Sequence, residues 1–382
     1  MTTANNAVIM QMNPRVRKSP FFDATRRSGA RIFSVYNHMF IPQGFVDYET
    51  EYWSLIHDVT LWDVGVEQPV EITGRDAFAF TNHLTPRDLS KCKVGQGKYV
   101  VITTQEGGII NDPVLSRLGE NHFWLAPADS DLILWVMGVA VNSGMEVQIR
   151  RAEAWPLQVQ GPKSRPVMEA LFGPQILELP YYHCLETSLG GIPVVVARTG
   201  WTAELGYEIY LRDEARAAEL WEMVMQAGKP HKIRPTGPSH IRRIEAGILN
   251  YQIDMTLDTN PFEVGLDRLV ELDKQADFVG RQALERIKAN GVKRKLVGVE
   301  IEGERLASNE HRWPVRMNGA RVGWVSSSVY SPRLEKNIGY AMLPIEHASL
   351  GSTLTLETPI GERNITVVRK PFVDPKKDIP KS

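Results

Sequence analysis

An α+β protein of two or three domains, ending in a small β-rich domain, is predicted by three features of the sequence. The chain has 382 residues, too many for one ordinary core. Up to about residue 285, helix-like and strand-like stretches alternate. From about Lys293 the texture changes to short strands between Gly, Pro and Asn turns, as in L-V-G-V-E-I-E-G, N-I-G-Y-A-M-L and N-I-T-V-V-R-K. Evenly spaced strands of that kind predict a small barrel or sandwich.

Composition narrows the class of partner. With 43% hydrophobic and 23% charged residues the chain reads as a soluble globular protein. A formal net charge of −1 gives no electrostatic reason to expect a nucleic acid or an anionic membrane as partner. Cys92 and Cys184 form neither a C-x-x-C pair nor a disulfide framework, which fits a reducing, cytoplasmic location. No stretch reads as a signal peptide or reaches membrane-spanning length. The first ~20 residues are expected to be a loosely held arm, and the polar end D-P-K-K-D-I-P-K-S is expected to fray.

Taken in order, R-I-F-S-V-Y-N-H-M predicts a short strand ending in the polar cluster Tyr36, Asn37, His38. A helix is expected over Asp47 to His57, with Tyr48, Tyr52, Trp53 and Ile56 on one face. V-T-L-W-D-V-G-V and P-V-E-I-T-G read as half-buried strands, and R-D-A-F-A-F-T-N-H-L as a helix beside them. Residues 98–117 form a hairpin around a Gln-Glu-Gly-Gly turn, interrupted by the polar step Asn111-Asp112-Pro113. Polar groups within an apolar strand need partners and often stand where a ligand enters. Asp129, Ser130 and Asp131 read as the N-cap of a helix running D-L-I-L-W-V-M-G-V-A-V. W-P-L-Q-V-Q-G-P at 155–162 is a strand ending in a turn. Among nine histidines there is no H-E-x-x-H and no Cys/His cluster, so no metal is expected, and no Walker or Rossmann loop is present.

The stretch Arg198 to Tyr210, R-T-G-W-T-A-E-L-G-Y-E-I-Y, holds two carboxylates, Glu204 and Glu208. A carboxylate fixed on a strand offers two parallel acceptors, matching a ring edge with adjacent N–H donors such as guanine or a pterin. Both acids also have an ordinary reading as solvated strand and turn residues.

The assembled motifs resemble the glycine-cleavage T-protein superfamily of tetrahydrofolate-dependent methyl and aminomethyl transferases. They are W-D-V at 62–64, E-G-G-I-I-N-D at 106–112, V-Q-G-P at 159–162, G-W-T-A-E-L-G-Y-E-I at 200–209, R-I-E-A-G at 243–247 and S-S-S-V-Y-S-P at 326–332. Within it, V-Y-N-H-M at 35–39, A-D-S-D at 128–131 and D-M-T-L-D-T-N-P-F-E-V-G-L at 254–266 look like the dimethylsulfoniopropionate demethylase branch. The resemblance implies a three-domain cloverleaf around a central folate cavity, with the C-terminal domain a small β-barrel or jelly roll. Residues 1–60 with 150–250, 61–149 with 251–285, and 290–382 would be the three units. It further implies tetrahydrofolate as cofactor, Glu208 on the pterin edge, Tyr99 and Trp201 against the folate, and Arg243 nearby, with Glu204 a further candidate. A structural alternative pairs Arg243 with Glu245 or Asp254.

Two departures bear on the methyl donor. The sulfonium demethylases usually read S-K-Q-G-G-F-E-I-Y where this chain has T-A-E-L-G-Y-E-I-Y, so the Lys-Gln pair is missing. Relatives commonly show Phe-Phe and no His where this chain has Tyr181, Tyr182 and His183, which add proton donors. A sulfonium leaves as a neutral thioether and needs no acid, whereas an aryl methyl ether leaves as a phenoxide and gains from one. These departures tilt the expectation toward O-demethylation of a small methoxy acid, with sulfonium demethylation close behind. The T-protein typically has two acids where this chain has Asn111 and Asp112, which argues against aminomethyl transfer. Tyr182, His183, Asn111 and Asp112 are thus the catalytic candidates, and Tyr36, His38, Trp135 and Trp155 the candidates for the donor pocket. A small-molecule methyl donor is the expected partner, with no obligate protein partner and a homodimer as an option. A non-catalytic folate-binding protein stays as the reading outside enzymology.

Overall fold

The computed structural model describes residues 12–382. Two larger sheets and a barrel form the body of the chain, with two small two-stranded sheets beside them. The larger sheet has six strands in the order Cys184–Leu189, Ile192–Ala197, Gly206–Leu211, Trp155–Gln160, Thr60–Asp63, Arg234–Pro235. The strand Trp155–Gln160 is buried throughout, and Leu157, Val159, Tyr207 and Ile209 pack against the helices Ser164–Phe172 and Ala217–Gly228. The second sheet runs Gln148–Arg151, Val70–Thr73, His122–Ala126, Val114–Gly119, Gln96–Tyr99. Its core joins Phe80 and Leu84 of the helix Ala77–Leu84 to Leu132 and Val136 of the helix Leu132–Val141. The domain division expected at 60/61 runs through Thr60–Asp63, a strand that pairs with Trp155–Gln160 of the larger sheet.

The C-terminal strands form a closed six-stranded barrel, Arg294–Ile301 meeting Gly361–Val368 to complete it. The mixed α+β class and the C-terminal barrel are as the sequence predicts. A buried polar lock joins the barrel to the helix His240–Glu245. Arg243 Nη1 donates to Asp254 Oδ2 at 2.6 Å, and its Nη2 donates to Ser327 Oγ at 2.7 Å. Asp254 Oδ1 accepts from Ser326 and Ser327, and Glu245 Oε1 accepts from Tyr52 and Ser331. Arg243 and Glu245 are both fully buried. The R-I-E-A-G and S-S-S-V-Y-S-P motifs therefore interlock two domains.

Three local expectations gain detail. Asn37 and His38 both have positive φ, 49° and 59°, and form the two-residue turn of a hairpin between Ile32–Tyr36 and Met39–Gly44. Asp131 holds the N-cap position of the helix Leu132–Val141, as expected, but without a side-chain cap bond: its carboxylate bonds His38, and Asp129 accepts the Asn37 N–H at 2.8 Å. The ends are also better held than their composition suggests. Of the expected N-terminal arm, residues 1–11 lie outside the described residues, but Arg17 bridges to Met39 and Ser19 is buried against Asp63. The segment Asp374–Ser382 is tied down as well. Asp374 accepts the N–H groups of Asp378 and Ile379, Pro380 is buried, and Arg198 Nη2 reaches the Ser382 carbonyl at 2.5 Å. Among the described residues no helix is long and apolar enough to cross a membrane.

Candidate functional site

Between the two sheets and the segment after His240–Glu245 lies an inner cavity of about 130 Å³, opening into an outer chamber of about 550 Å³. Together they fall in the range of small-molecule sites, ~300–1,000 Å³. Tyr99, Tyr181, Tyr182, Leu266, Arg268 and Lys377 line both.

Glu208 reaches the inner cavity because the strand Gly206–Leu211 alternates its side chains, sending Tyr207 and Ile209 to the helix-covered core and Glu208 to the other face. Its carboxylate is buried and held on three sides. Gln158, directly opposite in register, donates to Oε1 at 2.7 Å; Thr199 and Tyr210 hydroxyls donate to Oε2. Desolvation raises its pKa despite these bonds.

The loop before that strand is positioned by Gln160. Its Nε2 donates to the carbonyls of Thr199 and Tyr207, and its Oε1 accepts from Thr202 at 2.7 Å. Gly200 and Gly206 flank the amide so closely that a Cβ on either would stand 2.2 and 2.4 Å from Gln160 atoms. That close approach accounts for both glycines, and it sets Trp201 at the cavity wall, backed by Leu55, Trp62 and Val64.

Two further acids face the same space. Asp112 follows the strand Ile109–Asn111; its Oδ2 accepts from the Tyr99 hydroxyl at 2.7 Å, and its Oδ1 is buried without a partner. Desolvation pushes Asp112 up to about 7. Glu67, from the short turn Gly65–Glu67, is raised well above the usual carboxylate range by desolvation and then by Glu208 and Asp112. Around the acids stand Tyr36, Tyr99, Tyr181, Tyr182, Trp201 and Tyr210. The Tyr181 and Tyr182 rings meet edge to face, 4.8 Å apart. Tyr182 holds a φ of 59°, its N–H on Arg198 and its carbonyl accepting from Gly97, so one strained residue ties the two sheets together at the cavity.

Of the residues singled out from sequence, Glu208, Trp201, Tyr99, Tyr182, Asp112 and Tyr36 come together here. Seven do not. Asn111 is fully buried on the opposite face of its strand, bonded to Ala128 and Ser130, because neighbouring strand positions face opposite ways. An acid at that position would not reach the cavity, so Asn111 carries no argument about the reaction. The His183 ring lies between Gln96 Nε2 and the Tyr181 carbonyl, outside the cavity lining. Glu204 is buried in an ion pair with Arg242, 2.6 Å from its Nε. Arg243 pairs with Asp254, the structural alternative weighed for it. His38 is a turn residue on the surface, and Trp155 lies in the core of the larger sheet. Trp135 packs on the core of the second sheet. Sequence reasoning missed Glu67, Tyr210, Arg268 and Lys377. Glu67 stands three residues after W-D-V, which was the available signal; Arg268 and Lys377 come from distant segments and had none.

An aromatic cavity with three desolvated acids, between two sheets of a chain that ends in a closed barrel, has the character of a small-molecule site. Comparison with known proteins gives the family. The GCVT N-terminal domain profile matches residues 21–274, and the glycine cleavage T-protein C-terminal barrel domain profile matches residues 294–374. The chain is 33% identical to dimethylsulfoniopropionate demethylase of Ruegeria pomeroyi, over 92% of this chain and 96% of that protein. It is 30% identical to an aminomethyltransferase of Desulfitobacterium hafniense, over 89% and 93%. Its fold is similar to that of glycine cleavage system aminomethyltransferase T from Bartonella henselae, with a TM-score of 0.85 at 23% identity over 94% and 98% of the two chains. The chain belongs to the glycine-cleavage T-protein family, and like its relatives it is an enzyme acting on tetrahydrofolate.

Proposed function

We propose that the enzyme moves a methyl group from a small zwitterionic onium acid, sulfonium or quaternary ammonium, to tetrahydrofolate. One observation carries this reading: Glu67, Asp112 and Glu208 share one aromatic cavity whose only cationic lining residues, among the described residues, are Arg268 and Lys377. With Glu208 on the pterin edge, two acids remain with no positive partner beside them. Ring faces and carboxylates together are the chemistry that holds a small onium head. Arg268 and Lys377 suit the donor's carboxylate. Position 203 bears on the donor too. The sulfonium demethylases carry lysine there, this chain has Ala203 at the cavity wall, and Lys377 supplies a cation to the same cavity from the opposite side of the sequence.

The residues fit the folate. Glu208 Oε1 has a lone pair beyond its bond to Gln158, and Tyr99 and Trp201 supply ring walls. Tetrahydrofolate supplies the nucleophilic nitrogen and carries the methyl group away. The chain's own work is alignment: holding donor and acceptor in line is the main source of rate for a transfer whose leaving group is neutral. Asp112, oriented by the Tyr99 hydroxyl, faces the positive head when ionised.

A second reading has an observation in its favour. Asp112 at about 7 and the Tyr182 hydroxyl are proton donors inside the cavity, as loss of a phenoxide from a methoxyaryl acid requires. His183, the third donor expected from sequence, faces away.

The test is to incubate the protein with tetrahydrofolate and sulfonium, betaine-type and methoxyaryl acids in turn, and to weigh the folate product. Formation of 5-methyltetrahydrofolate from an onium acid supports the proposal. Formation only from methoxyaryl acids moves the assignment to the second reading. Methylenetetrahydrofolate from an aminomethylated carrier protein would make the enzyme an aminomethyltransferase.

A further inference from the structure

The outer chamber has the opposite charge to the inner one. Arg87, Lys98 and Arg268 line one side, and Lys370, Lys376, Lys377 and Lys381 the other. Among the described residues that line it there is no acid. Two of the seven have an acidic neighbour outside the chamber, each at 3.9 Å: Arg87 with Glu271, and Lys381 with Asp378. Lys377 is depressed by desolvation first, and then by Arg268 and Lys381.

Three of these lysines sit on the segment Asp374–Ser382, and that segment is built rather than frayed. Asp374 closes its turn onto Asp378 and Ile379, Lys381 Nζ holds the Lys376 carbonyl at 2.7 Å, and Arg198 holds the Ser382 carbonyl. Arg198 itself is buried, just after the strand Ile192–Ala197 and at the start of the loop that carries Gly200, Trp201 and Ala203 to the inner cavity. The strap is thus tied to the same loop that positions Trp201. The barrel profile stops at residue 374, so the strap lies beyond the part of the chain that the family profile describes.

We propose that the outer chamber is a polyanion site that takes the γ-linked glutamate chain of the folate beyond its first residue, and that the strap Asp374–Ser382 completes it. This rests on the folate reading of the inner cavity. The two chambers communicate past Tyr99, Tyr182 and Arg268, so a ligand with its heterocycle on Glu208 extends outward into the cationic space. Each added γ-glutamate brings one more carboxylate to partly exposed lysines. Such pairs are individually weak and screened by salt, so three or four of them amount to roughly ten-fold in affinity.

The experiment is to measure dissociation constants of monoglutamyl and pentaglutamyl 5-formyltetrahydrofolate on the full chain, at low and at raised ionic strength. The pentaglutamyl form should bind about ten-fold tighter at low salt, and salt should shrink that ratio. In Lys376→Gln/Lys381→Gln the ratio should fall toward one, whereas the control Lys288→Gln, exposed on the helix Arg281–Asn290, should keep it. Equal affinity for both forms would overturn the proposal while leaving the folate reading standing. A ratio that persists in the double variant would overturn the role of the strap. Failure of both forms to bind would overturn the folate reading and this inference with it.

Discussion

Glu208→Gln is the perturbation that isolates the pterin contact from the fold. The wild-type carboxylate is buried and accepts from Gln158, Thr199 and Tyr210. A glutamine keeps the shape but has one acceptor oxygen and adds two donors. The pocket can absorb that change. Gln158 Oε1 is buried without a partner, so turning its amide over presents an acceptor to the new NH₂, and both hydroxyls can rotate. Stability should therefore move by no more than about 1 kcal/mol. Folate binding should not be spared: replacing a charge-assisted acceptor by a neutral amide costs ~1.5–3 kcal/mol, roughly 10- to 150-fold in dissociation constant. Fluorescence or calorimetric titration with 5-formyltetrahydrofolate measures the loss, and a thermal melt reports the fold. An unchanged dissociation constant with a wild-type melt would refute the placement of the pterin on Glu208.

Further outcomes follow from the same geometry. Asp112, raised to about 7, must be ionised to face an onium head, so kcat/KM for such a donor should rise with pH through about 7; a methoxyaryl donor needs the protonated acid and should show the reverse. Burial of Asp112 also makes its ionisation a cost to the fold that is absent below pH ~4 and complete near pH 7. Asp112→Asn should therefore be more stable than wild type at pH 8, by roughly 2–4 kcal/mol in denaturant unfolding, and no different at pH 3. Asp254→Ala strands the buried Arg243 guanidinium and should cost about 3–5 kcal/mol in unfolding experiments, whereas direct loss of a folate contact is not expected. Gly206→Ala should destabilise the loop at 200–206 and lower folate affinity in parallel, because the new methyl group collides with Gln160.

The residues singled out from sequence that line the cavity share one property: each sits in a local pattern whose geometry is fixed by its neighbours. Glu208 alternates with Tyr207 and Ile209, and Trp201 follows a glycine that Gln160 requires. The same alternation explains the errors. Asn111 and Asp112 are adjacent on an extended chain and cannot both face one cavity. Tyr182 and His183 part for another reason: the chain turns at Tyr182, whose φ is 59°, and the His183 ring is left on Gln96. Arg243, Glu204 and Glu245 were visible as motif residues, but nothing in a motif distinguishes a ligand contact from a buried lock between domains. Glu67, Arg268 and Lys377 are more than 300 residues apart at the extremes, and only folding brings them to one opening. The Lys-rich end was misread from its polarity, since composition does not reveal that Arg198 and Asp374 hold it.

Under the proposed function, the inner cavity selects a positively charged methyl donor. It is tested most directly by one competition reaction: protein, tetrahydrofolate, an S-methyl-deuterated sulfonium acid and an unlabelled methoxyaryl acid in equal amounts, with the mass of the methylated folate read at early times. Product carrying the deuterated methyl group at pH 8, lost in Asp112→Asn, is the expected result. Unlabelled product would contradict it and place the acids of the cavity in the service of an ether's leaving group.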